Sequence, residues 1–340
     1  SSPVTLYKKL VELYEAGKVS FRNVEIYSID EYYPAPADAQ SRNRRLYETL
    51  VSKVDLKPGA FHAPKIDGMM DTDAVTEFCA EYDSMASDLD VLVMGVGEKG
   101  QIGFNEAGSS EFSRTRTVHL SYVSKKRQAK NFGGNIDETP DSAIALGIST
   151  MLTAGKVYLI GWGEDKAQVV KNIVEDPVNP ACPASYLQKH SNISFYVDDN
   201  SASLLTRNVA PWLVGPCEWT PKFIRKAVVW LCEQVDKPIL KLTQGDYLAN
   251  GLGELLEQHG PYDQINIKVF NDLQHTISGW PGGKPNADDS TRPVPSTPFP
   301  KRVVIFSPHP DDDVISMGGT FIRLVEQGHD VHVAYETSGN

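Results

Sequence analysis

Three stretches, LDVLVMG (89–95), AGKVYLIGWG (154–163) and SNISFYVDD (191–199), are near-continuous apolar runs. Runs of that kind form strands of a parallel sheet covered by helices on both faces, because a half-solvated sheet would alternate instead. VEIYSID (24–30) adds a fourth strand, and helical spacing runs from Leu6 to Ala16, Arg44 to Val54, Ala74 to Ala86 and Ala167 to Val174. The chain to about residue 210 is therefore predicted to be α/β, a doubly wound and mainly parallel sheet. Such sheets bind ligands beyond the carboxyl ends of their strands. Two of those ends are YSID, before Glu31, and VMG, before Val96.

The 340 residues allow more than one core. After Ala210 the composition changes. Thr220 and Pro221 open a helix that Pro238 closes, with Phe223, Ala227, Trp230 and Leu231 on one face, so residues 211–278 read as a helical extension built for packing. GWPGGKPNADDSTRPVPSTPFP (279–300) holds six prolines and three glycines, too little apolar surface to fold, and reads as a stiff linker. KRVVIF then begins the strand of a second α/β domain, residues 301–340. Both ends read as cut: a helix with no strand before it, and a strand and loop with nothing after them.

A net charge of −11 argues against nucleic acid or an anionic membrane as partner, and no apolar run is long enough to span a bilayer. A small anionic ligand then needs a local cationic pocket. Cys79, Cys182, Cys217 and Cys232 lack CxxC spacing and read as buried, reduced thiols of a cytoplasmic protein.

Chemistry concentrates at two places. In LVMGVGEKGQIGFNEAG, Gly95, Gly97, Gly100 and Gly103 let a backbone approach a ligand closely. Asp30, after its strand and facing that loop, suits proton abstraction next to a carbonyl or imine; the plainer reading is a turn or helix cap. In VVIFSPHPDDDVISMGGT, His309 and Asp312 offer the nitrogen and carboxylate donors that zinc takes, and Asp311 between them suits a general base. The plainer reading there is a solvated acidic turn.

SPHPDDDVISMGG resembles the opening of the zinc-dependent N-deacetylases that act on N-acetylglucosaminyl compounds. The resemblance implies zinc on His309 and Asp312 with Asp311 as base; Asp313 stands where Glu is usual. The family's third ligand, a distant His, has no match, and neither His329 nor His332 is offered for it.

Residues 1–205 resemble the glucosamine-6-phosphate deaminases/isomerases. SSPVTLYKKL, SIDEYY, GVGEKGQIGFNEAGSSEFSRTR and PASYLQKH occur in the family's order, and phosphogluconolactonases of the same fold lack the GFNEAGSS…SRTR run. The resemblance implies a modified Rossmann-like fold, no cofactor for this part, and a hydrolase of amino-sugar metabolism that isomerises an amino-sugar phosphate and releases ammonia. Asp30 would move the proton between C2 and C1, and Glu106 would assist ring opening. The family's loop reads Gly-Asp-Gly-His; here Lys99 and Gln101 replace Asp and His, and glutamine exchanges no proton near neutral pH. Ser1, Ser2 and Lys166 would take the phosphate, with Lys130 or Arg127 as second cation. Ser109, Ser110 and Arg116 match an allosteric loop whose lysine is Val118 here. The partner expected is thus a small amino-sugar phosphate, and a homo-oligomer is compatible. Three functions follow: a deaminase fused to a deacetylase, an isomerase of another sugar phosphate, or a non-catalytic sugar-phosphate sensor.

Overall fold

The structure is a computed structural model that describes residues 3–37, 39–274, 301–326 and 328–338. The stretch read as a linker, 279–300, lies outside the described residues, as do Ser1 and Ser2. The chain separates into two compact units, divided between Val209 and Ala210.

The first unit contains strands β1 (Ile26–Tyr27), β2 (Asp30–Tyr33), β3 (Phe61–His62), β4 (Val91–Gly95), β5 (Arg116–His119), β6 (Ser142–Ala145), β7 (Lys156–Gly161) and β8 (Ile193–Val197). Its helices are α1 (Val4–Glu15), α2 (Arg42–Thr49), α3 (Thr72–Met85), α4 (Tyr122–Gln128), α5 (Ile148–Met151), α6 (Ala167–Val174) and α7 (Thr206–Val209). The three apolar runs form one parallel sheet in the order β4-β7-β8, and β1 pairs with β3, also in parallel. Leu92, Met94, Val157 and Leu159 fill its core with Val169 and Ile173 of α6 and Tyr82 of α3. Only β7, the central strand, is buried along most of its length; Val91 on β4 and Tyr196 on β8 are about half exposed, as edge positions allow.

A second sheet, β2-β6-β5, is antiparallel. It has no counterpart in the expected mainly parallel pattern, because DEYY, RTVH and SAIA are each four residues long and too short for a period to show. The polar-looking DEYY is buried throughout. VEIYSID accordingly splits: two residues pair with β3, and Asp30 opens the antiparallel strand.

In the second unit, α8 (Pro221–Val235), α9 (Gln244–Ala249), α10 (Gly253–His259) and α11 (Tyr262–Gln274) surround Trp212, Trp219, Leu231, Tyr247 and Leu255. Thr220 caps α8, its hydroxyl accepting from the Phe223 N–H. Then β9 (Arg302–Ser307), α12 (Asp312–Glu326) and β10 (Asp330–Tyr335) form a strand–helix–strand turn with the strands parallel. All four cysteines are free; Cys79 and Cys182 are buried as expected, whereas Cys217 and Cys232 are half-buried. Among the described residues, no helix is long and apolar enough to cross a membrane.

Candidate functional site

Asp30 and Glu31 are neighbours on β2 with opposite fates. Glu31 is fully buried and satisfied. It accepts from the backbone N–H groups of Tyr32, Arg42 and Asn43 and from the Ser41 hydroxyl. It is the anion at the start of α2, whose first turn has no acid of its own. The cap reading thus belongs to Glu31, not Asp30. Asp30 is 2% exposed; Oδ1 accepts from Arg42 Nε at 2.5 Å, and Oδ2 is buried with no hydrogen-bond partner. Burial pushes its carboxyl above the usual range, with the Arg42 guanidinium opposing. Arg42 also lies 4.7 Å from the Phe104 ring centre, tying Asp30 to the glycine loop.

That loop makes its closest approach at Gly103. Its φ is +58°, and a Cβ there would stand 2.9 Å from Asp30 Oδ2, so only glycine lets the free oxygen face the loop unhindered. Gly95 ends β4, and beyond it Gly97 N–H bonds the Gln101 carbonyl while Gly100 N–H bonds that of Gly97. Gly100, at φ +78°, lies against Cys182, and its carbonyl accepts from Ala184 N–H. The PASYLQKH segment therefore backs the loop. Gln101 folds inward, its Oε1 accepting from Lys99 N–H at 3.0 Å. Where proton exchange would be wanted, this side chain braces a turn.

Lys166 follows β7, the neighbour of β4, through a tight turn in which its N–H bonds the Gly163 carbonyl. It is 5% exposed, and its Nζ has no hydrogen-bond partner. Glu98 Oε1 lies 3.6 Å from Lys166 Nζ and 3.1 Å from an Arg127 terminal nitrogen. The two candidates for a second cation, Arg127 and Lys130, are both exposed, and Arg127 is the one that pairs with Glu98 of the loop.

Glu106 holds the start of α4, its Oε2 accepting from Ser121 N–H at 3.2 Å, and its Oε1 is buried without a partner. With Ser109, Arg116, His119 and Phe104 it lines a cavity of about 430 Å³. Arg116 donates to Ser109 Oγ at 3.2 Å and to Asn105 Oδ1 at 3.0 Å. Ser110 instead accepts from Phe112 N–H in a local turn. Asp30 lines neither this cavity nor a larger one of about 670 Å³ beside Asp83 and Arg114, which of the expected residues includes only Arg116. Two residues escaped the sequence, Arg42 and Glu98. An arginine opening a helix, against the dipole, was the available signal for the first.

In the second unit, His309 Nδ1 lies 3.0 Å from Asp312 Oδ2, which also accepts the His309 N–H. Asp311 is exposed beside them, and Asp313 is buried, bonded to Ser307. A nitrogen and a carboxylate oxygen side by side suit zinc in donor type. Among the described residues, no group of three metal-ligating side chains occurs. His329 Nδ1 accepts from Lys301 N–H, and His332 pairs with Asp330.

The buried ammonium of Lys166 follows the parallel sheet and the buried carboxyl of Asp30 opens the antiparallel one, in a protein of the α/β class, and comparison with known proteins makes the class specific. The chain belongs to the glucosamine-6-phosphate isomerase/6-phosphogluconolactonase family, whose profile matches residues 1–195. A second profile, GlcNAc-PI de-N-acetylase, matches residues 304–340. A glucosamine-6-phosphate deaminase-like protein of Bacteroides thetaiotaomicron is 51% identical over all of this chain, which spans 51% of that protein's length. The glucosamine-6-phosphate deaminase of Mycolicibacterium smegmatis is 37% identical over 60% of this chain and 78% of its own. A solved monomeric glucosamine-6-phosphate deaminase, 29% identical, covers 60% of this chain and 84% of its own with a TM-score of 0.56.

Proposed function

We propose that the first unit binds an amino-sugar phosphate and acts on it as a deaminase/isomerase. The observation that carries this is Asp30: a buried carboxyl whose pKa is raised by desolvation, one oxygen free, facing a loop opened by Gly103. A base poised that way can take the proton from C2 of an open-chain sugar and return it to C1. Lys166 would meet the phosphate, and Glu106, with its free buried oxygen, would serve the ring oxygen. Gln101 is committed to Lys99 and supplies no proton, so ring opening would be slow. That same observation favours a second reading, a sugar-phosphate sensor without turnover.

In this proposal, residues 301–340 begin a deacetylase-like domain joined through 279–300. His309 and Asp312 would hold zinc, whose Lewis acidity would activate an amide carbonyl. Asp311 would take up a proton. Deacetylation yields the amine that deamination consumes, and a cytoplasmic location belongs to the same proposal.

The test is ammonia and ketose release from glucosamine 6-phosphate by the full chain and by a Lys99→Asp/Gln101→His variant. The expected result is slow release by the former and a rise on the order of 100-fold in the latter, the scale of general acid–base assistance. Phosphate-dependent binding with no turnover in either protein would establish the sensor instead.

A further inference from the structure

The Lys166 ammonium is buried, and the acids nearest to it are not. Its Nζ lies 3.6 Å from Glu98 Oε1 and 3.4 Å from Asp165 Oδ2, yet bonds neither, and those carboxylate side chains are 49% and 58% exposed. A buried ammonium without a hydrogen bond is costly, and two solvated acids at ion-pair distance offset only part of that cost. Arg127, from α4, reaches the same Glu98 oxygen at 3.1 Å. One carboxylate oxygen therefore stands between two cations from different elements and satisfies the buried one poorly.

A phosphoryl group carries more charge and more oxygens than a carboxylate and could bond both cations at once. It could not do so with Glu98 in place, because two anions would share one position. We infer that Glu98 is a built-in competitor at the Lys166–Arg127 anion site: it holds the cations in the absence of ligand, must swing aside for a phosphate, and so sets the affinity for phosphorylated ligands. This deepens the sugar-phosphate reading and rests on it.

The test titrates inorganic phosphate into the full chain by calorimetry, comparing the unaltered protein with Glu98→Gln. Glu98 is half exposed and the substitution isosteric, so the variant should fold, as a melting curve would verify. Glu98→Gln is expected to tighten phosphate about two- to fivefold, the scale of a half-exposed ion pair. Adding Lys166→Gln to it should remove the gain. Unchanged or weaker affinity, or no measurable binding by either protein, overturns the inference. Tighter phosphate binding without any binding of glucosamine 6-phosphate would keep the competitor and refute the sugar reading. Turnover of glucosamine 6-phosphate with phosphate affinity indifferent to Glu98 would do the reverse.

Discussion

After β4 the chain turns through Gly95–Gly108 and meets Asp30, 2% exposed and with one oxygen unpaired. After β9 it turns through Pro308–Asp312, and the His309 side chain stays 64% exposed and bonded to Asp312. Both are strand ends that run into acidic or glycine-bearing chain, but they suit different chemistry. A carboxyl whose pKa is raised by burial has to be dry, because desolvation disfavours its charged form. Donors for a metal have to stay reachable and already close together. The first arrangement buries a carboxyl with an unpaired oxygen, and the second leaves its imidazole in solvent.

The largest effect that could break this contrast is on Asp30. Asp30→Asn should lower kcat for isomerisation by about 10²–10⁴-fold. Its folded carboxyl is raised above the ordinary value, so the stability it contributes is present below that value and lost as pH rises through the folded one. Asp30→Asn should therefore melt no lower than the unaltered protein at pH 7, and a lower melting temperature with unchanged turnover would make Asp30 structural. In the second region, His309→Ala should weaken zinc binding by more than about tenfold without lowering the melting temperature in chelator, since the side chain is exposed. Equilibrium dialysis with zinc would reveal it. Arg42→Met removes the one group opposing Asp30's raised pKa, so the acid limb of kcat/KM should move to higher pH. A downward or absent shift in the pH profile would detach Arg42 from the base. The smallest effect belongs to Gly103→Ala, about 1–2 kcal/mol of stability lost in urea melts from positive φ and crowding of Asp30.

The legibility of these regions follows their layout in sequence. His309, Asp311 and Asp312 fall within four residues, so their grouping could be read directly. The parallel strands announced themselves by apolar runs, and α6 has the predicted ends, Ala167 and Val174. Asp30 with Gly103, and Glu98 with Lys166, meet only through the sheet, across about seventy residues each. The antiparallel strands escaped because four-residue segments carry no period. Which of two adjacent acids would be the cap was also invisible: Asp30 and Glu31 differ by what lies over them, Arg42 and Gly103 for one, the start of α2 for the other.

Asn105 has a consequence for how this loop can change. Its side chain donates to the carbonyls of Ile102 and Leu146 and accepts from Arg116, riveting the loop's far end to the fold. Gly97 and Gln101 clasp the near end through their backbones, and the Gln101 side chain adds a bond from the Lys99 N–H. Glu98 and Lys99 sit between those fastenings like an interchangeable cartridge. A lineage or an engineer can rewrite that cartridge and inherit the scaffold intact.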